Sequence, residues 1–257
     1  MIKRYCDYKI LTTENILRPD YAEPMSGRTV DWTASDANRV GEGLRQRKKR
    51  LMHQQLSDTA TELFLERGFD AVRVADVAEA CGVSEKTVFN YFPSKESLLL
   101  DRFADTMPVL RTRLADRGLS PVDAVLRVLA DELRGLVSSL EQQHDRARAI
   151  ARIVRFRELV DSSASLRAYQ RDAADQLAAT AAEVLAERAG VDPADPEPQI
   201  AAAALVGLWH VHFKALRKYL DGTRTPKQVE RAVTADVERA ARLLARGLPT
   251  FDSAAWQ

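Results

Sequence analysis

From Arg45 onward the apolar residues of this chain recur with the period of an α-helix, and no stretch alternates with the period of a strand. The clearest case is "PVDAVLRVLADELRGLVSSLEQQ", where Val122, Val125, Leu126, Leu129, Leu133, Leu136 and Leu140 form one amphipathic stripe. Leu56, Ala60, Leu63 and Phe64 do the same in "LMHQQLSDTATELFLERGF", which Gly68 closes. Further helices read as "ESLLLDRFADTMPVL", "DRARAIARIVRFRELV", "SASLRAYQRDAADQLAATAAEVLAERAG", "PQIAAAALVGLWHVHFKALRKYLDG" and "TPKQVERAVTADVERAARLLARGL". Glycine and proline clusters fall between these segments, and "VDPADPEP", with three prolines, reads as a loop. The expected fold class is all-α.

Residues 1–44 show neither period and carry the loop-forming run "EPMSGRTVDWTASDANRVGEG", so they read as a flexible extension in which Met25 is an alternative start. Residues 45–109 form a first helical domain, 110–250 a larger second one, and 251–257 a tail. Of the 257 residues 46% are hydrophobic and 29% charged, enough apolar material for a core in each domain. The two cysteines, Cys6 and Cys81, are far apart and give no disulfide framework, which fits a reducing cytoplasm. Cys81 falls on an apolar helix face and reads as a small core residue. The longest apolar stretch, residues 200–213, falls short of the roughly 20 residues a bilayer span needs, so no membrane partner is expected.

Within the first domain, "VADVAEACGVSEKTVFNYFPSKE" holds two short helices joined at Gly82, with Pro93 ending the second after about two turns. Val74, Val77, Ala78 and Cys81 face the core from the first; Val83, Val88 and Phe92 pack back from the second. Ser84, Glu85, Lys86, Thr87, Asn90 and Tyr91 are then left outside. Such a pair matches a helix-turn-helix, whose second helix enters the DNA major groove. Asparagine can pair bidentately with adenine and lysine can reach guanine acceptors. Lys95, at the start of the next helix, is placed to meet a phosphate. The net charge is only +1, so any DNA face must be made locally, and the run Arg45, Arg47, Lys48, Lys49 and Arg50 offers one. It reads as a flexible arm that tracks the backbone or enters a minor groove.

The pattern "ATELFLERGF…VADVAEACGVSEKTVFNYFPSKESLL" resembles the DNA-binding domain of the TetR/AcrR family of bacterial transcriptional regulators. The segment "ARIVRFRELVDSSASLRAYQRD" also resembles the second domain of a mycofactocin-regulator-like subgroup, on fewer positions. The resemblance implies a homodimer whose subunits each carry a three-helix DNA-binding domain, over the span 73–92 for the helix-turn-helix, and a larger ligand-binding and dimerisation domain. Two departures stand out. Phe89 occupies the place of a phosphate-bonding tyrosine and offers apolar contact, to a thymine methyl for instance, with Tyr91 supplying the lost hydroxyl. Arg73 stands where Ser or Thr usually caps, so that helix is expected to start less well capped, with the arginine pointing at the DNA backbone.

The helix at 200–220 is apolar nearly all round, which requires burial on two sides. With the helix at 225–247 it would form a four-helix bundle across a two-fold axis. Phe103, Met107, Arg155, Phe156, Tyr169, Trp209, His210 and Phe213 are the candidates for lining an effector cavity. His210 and His212, two apart, face different ways and make a poor metal pair, and no cofactor is expected. With no phosphate-cradling glycine loop, no Gly-x-Ser-x-Gly and no Cys/His pair, no reaction centre can be named and an enzyme is not expected. The expected protein is therefore a ligand-responsive repressor, cytoplasmic and on the nucleoid when bound, that holds a near-palindromic operator as a homodimer and leaves it on binding a small molecule. An activator of the same fold and a helical interaction protein without DNA are the alternatives; the latter predicts that Lys86, Asn90, Tyr91 and Lys95 tolerate alanine.

Overall fold

The computed structural model describes residues 43–247, and the side chains within that span except those of 102–105 and 246–247. The extension up to residue 42, the Phe103 side chain and the 251–257 tail lie outside the described residues. No strand occurs among the described residues, which form α1 (Leu44–Arg67), α2 (Val74–Ala80), α3 (Glu85–Tyr91), α4 (Lys95–Leu100), α5 (Arg102–Ala115), α6 (Pro121–Gln142), α7 (Arg146–Ser162), α8 (Ala164–Ala189), α9 (Pro196–Tyr219) and α10 (Pro226–Gly247). No helix among them is long and apolar enough to cross a membrane. Packing divides them into two compact units that meet in sequence at Leu99 and Leu100.

In the first unit α1 presents Leu56, Ser57, Ala60, Thr61, Phe64 and Leu65, a stripe confined to its second half, while residues 44–55 bury no side chain fully. Buried in the same unit are Val77 and Ala78 of α2, which contacts α1, Val88 of α3, Phe92, and Leu98 and Leu99 of α4. Leu56, Phe64 and Leu98 are wholly excluded from solvent, and burial of each such side chain stabilises by about 1.5–3 kcal/mol. The Ser57 hydroxyl donates to the Leu98 carbonyl at 2.8 Å, tying α1 to α4 inside this apolar setting. Ser94 and Ser97 cap α4 reciprocally, each backbone N–H donating to the other's hydroxyl, at 3.1 and 3.2 Å.

The second unit is built around α6, whose buried face runs from Val122 to Leu140 and contacts α5, α9 and α10. α8 packs on α5 and α9, and α7 joins through α6 and α8. The Arg188 guanidinium, near the end of α8, donates to the carbonyls of Leu114 at 2.8 Å and Leu119 at 2.9 Å, holding the α5–α6 connection. Tyr219 of α9 donates to the Asp236 carboxylate of α10 at 3.1 Å. Glu132 lies buried in α6, where Thr106 donates to it at 3.4 Å; no sequence pattern singled it out.

Three expectations about elements need correction. Residues 96–110 do not form one helix: Asp101, at φ −72° and ψ −6°, turns its carbonyl out of the helical line and separates α4 from α5. "VDPADPEP" is not loop throughout, because α9 begins at Pro196 and takes in Pro198. First-turn positions have no intrahelical acceptor for their N–H, so proline loses nothing there. The basic run is not a flexible arm either, since Arg45–Arg50 form the opening turns of α1.

Candidate nucleic-acid interface

The turn between α2 and α3 is a Schellman motif. Gly82 N–H donates to Glu79 O at 3.0 Å and Val83 N–H to Ala78 O at 2.9 Å, with Gly82 at φ +66°, a region that penalises any Cβ. Ser84 then caps α3, its hydroxyl accepting from Thr87 N–H at 3.1 Å and lying 2.9 Å from the Thr87 hydroxyl. At the far end Phe92 is extended, at φ −132° and ψ 113°, as a residue before proline must be. These stops make α3 seven residues long.

Its burial pattern is two-sided. Val88 and Phe92 are 1% exposed, and His53 of α1 stacks on the Phe92 ring at 4.3 Å and 30°. Glu85, Lys86, Phe89 and Asn90 are exposed on one face, at the i, i+1, i+4, i+5 spacing of a single helix side. Phe89 is 49% exposed, an apolar ring offered to solvent beside Lys86 and Asn90. Glu85 in the first turn also suits the positive end of the helix.

Arg73 and Lys95 are placed differently from each other and from α3. Arg73 N–H donates to Asp76 Oδ2 at 2.7 Å and its guanidinium to Oδ1 at 3.0 Å. As expected of arginine at this position, no side chain accepts from the first N–H groups of α2; the acid at the third helical position instead accepts from the N–H of Arg73 itself and pairs with its guanidinium. Those bonds from Arg73 hold the Asp76 carboxyl below its ordinary pKa and raise that of Arg73. The Arg73 side chain remains 79% exposed. The Lys95 ammonium, half-buried, sits 4.2 Å from the Phe69 ring centroid and 5.8 Å from that of Phe64.

Within this unit an open groove of 660 Å³ runs between the start of α1 and α3. Leu44, Arg45, Lys48 and Lys49 line one wall; Thr87, Asn90 and Tyr91 line the other. Arg47 and Arg50 are half-buried and take no part in it. His53 was not flagged by sequence, since no spacing relates position 53 to position 92.

Residues 56–101 match the model of the family of bacterial regulatory proteins, tetR family. Over that segment the chain is similar to the TetR family. It is 29% identical over 65% of its length, and 74% of the relative's, to the HTH-type transcriptional regulator TcmR of Streptomyces glaucescens. It is 27% identical over 63% of its length, and 78% of the relative's, to MftR of Mycobacterium tuberculosis, whose name ties it to mycofactocin biosynthesis. A crystal structure of a TetR transcriptional regulator from Rhodococcus sp. RHA1 aligns at 25% identity over 78% of this chain and 98% of that one, with a TM-score of 0.41. The residues matched by the family model run from the second half of α1 through α4 and include α2, the turn at Gly82 and α3.

In the second unit the effector candidates fall into three environments. Phe156 and Trp209 are buried; Met107, Tyr169 and Phe213 are half-buried; Arg155 and His210 are exposed. Met107 meets α8, where the Thr180 hydroxyl lies 3.7 Å from its sulfur. His212, two residues from His210, is buried with its ring edge-on to Phe213 at 5.5 Å.

Proposed function

We propose that the chain is a ligand-responsive transcriptional repressor, cytoplasmic and without a reaction centre, that binds a near-palindromic DNA operator as a homodimer and releases it on binding a small molecule. The observation that carries this reading is the exposed face of α3, where Glu85, Lys86, Phe89 and Asn90 stand together while Val88 and Phe92 anchor the other side. Lysine and asparagine there match guanine and adenine edges, glutamate matches the cytosine amine, and phenylalanine matches a thymine methyl. Helix-turn-helix dimers place two such faces about 34 Å apart or a multiple of it, which is why the operator is near-palindromic.

Support for the dimer lies on α9 and α10. Ile200 of α9 and Leu243 of α10 are 68% and 70% exposed, and Ala203 and Gly207, three and seven positions after Ile200 on α9, are exposed small residues that permit close helix approach. A two-fold partner would cover this strip in a four-helix bundle. Release then follows if the effector binds better to the arrangement in which the two α3 helices no longer match successive major grooves. Buried Phe156 and Trp209 and half-buried Met107, Tyr169 and Phe213 favour an apolar or amphipathic effector.

Selection of bound duplexes from a random pool with purified protein tests the reading. The expected product is a near-palindrome with a fixed half-site spacing. Recovery of no sequence above the starting pool would refute it, and would favour a helical interaction protein.

A further inference from the structure

We propose that the opening turns of α1 and the second half of α3 cradle one sugar-phosphate strand of DNA beside the major groove that α3 enters. The inference rests on the DNA-binding reading above and assigns residues that lie ahead of the family match, which begins at residue 56. The groove between these helices is lined by the cations Arg45, Lys48 and Lys49, by the hydrogen-bonding side chains of Thr87, Asn90 and Tyr91, and at its end by Leu44, with no carboxylate among them. The three cations follow i, i+3, i+4, so they share one face of α1. No Asp or Glu occurs in α1 before Asp58. A wall of that charge is complementary to a polyanion.

Two further features narrow the occupant. The first half of α1 fully buries no side chain, so it does not owe its place to the core of its unit. It is also helical from Leu44, and a helix with its side chains is about 10–12 Å across. The minor groove of B-DNA is only about 6 Å wide. A helical segment therefore cannot insert there as an extended basic arm does, and lies along phosphates instead. Asn90, exposed on the reading face and also lining the groove, joins the two surfaces: base edges on one side, one backbone on the other. Tyr91, half-buried in the same wall, turns a hydroxyl-bearing ring to that backbone while Phe89 is offered to the bases.

The test uses the full chain and the duplex selected by the wild type. Each phosphate contact contributes about 0.9 to the slope of log affinity against log salt, so the combined Arg45→Ala, Lys48→Ala, Lys49→Ala variant should lose about 2.7 units of slope per bound subunit. Over a fourfold rise in salt the wild type then loses about 40-fold more affinity per subunit than the variant does. Its selected sequence should match the wild type's. Tyr91→Phe should weaken all duplexes alike and leave the slope unchanged, because a neutral hydroxyl releases no counterion. An unchanged slope in the triple variant, or a loss confined to operators with A·T-rich flanks, overturns the cradle while the repressor reading stands. A wild type that prefers no duplex over random competitor overturns both.

Discussion

Replacing Gly82 with alanine isolates the backbone cost of the turn that aims α3. Gly82 sits at φ +66°, and a Cβ built there would meet no heavy atom within 4 Å. Steric collision therefore contributes nothing, and two terms remain. Holding an L-residue in the left-handed region costs about 1–2 kcal/mol. The more restricted unfolded chain returns about 0.4–1 kcal/mol. The balance is a loss of about 1 kcal/mol, roughly fivefold in the folding constant. Urea unfolding of wild type and Gly82→Ala should show a lower midpoint at unchanged m, and amide exchange at Val83 should rise by a similar factor, since its N–H closes the motif on Ala78. Gly82→Asn should cost less, because asparagine tolerates this region. Operator affinity of the folded variant should stay within about twofold of wild type. Equal or greater stability with alanine would refute the claim that the positive φ is required, and a loss above about 3 kcal/mol would mean that more than the backbone is disturbed.

The two aromatic residues of the short helix and its cap should separate stability from binding. Phe92→Ala, removing a ring 1% exposed and stacked on His53, should cost about 3–5 kcal/mol in thermal or urea unfolding. Phe89→Ala, at an exposed site, should stay within about 0.5 kcal/mol yet weaken operator binding, and the opposite order would invert the assignment of faces. Arg73 hydrogen bonds depress the Asp76 carboxyl, so its stabilisation is complete above the unfolded-state value of about 3.9 and fades as pH falls through the lower folded value. Stability of Asp76→Asn measured from pH 6 to pH 2 should therefore fall less steeply than wild type; parallel curves would contradict the pairing. Burial pushes the Cys81 thiol up. In a Cys6→Ser background iodoacetamide should label Cys81 slowly in the folded chain and faster in urea, and equal rates would count against that burial.

Periodicity exposed the helices because each must bury one stripe, and the stripe survives in sequence whatever the neighbours are. Punctuation exposed the α2–α3 pair for the same reason: Gly82 and Pro93 impose local geometry that no distant contact alters. Features set by neighbours were not legible in this way. Arg73 is a missing side-chain cap, as read, but nothing in the sequence shows that Asp76 bonds both its N–H and its guanidinium. Lys95 looks free to reach a phosphate, yet its ammonium rests on the Phe69 ring, a contact across 26 positions. Pro196 and Pro198 read as loop because proline usually breaks helices, and only a helix start makes it harmless. The five cations of residues 45–50 read as one patch, whereas helical geometry turns Arg45, Lys48 and Lys49 to the groove and leaves Arg47 and Arg50 out of it. Glu132 escaped notice because a single acid in an apolar stripe carries no pattern of its own.

The central claim is that the outer face of α3 reads base pairs, and Asn90 is the residue on that face whose chemistry names a base. Sequence preferences of wild type and Asn90→Ala, selected from the same random pool at the same salt, test it most directly. The account predicts that the variant keeps the palindrome and its spacing and loses discrimination at one position in each half-site, by about 1–3 kcal/mol. Identical preferences for the two proteins would contradict it.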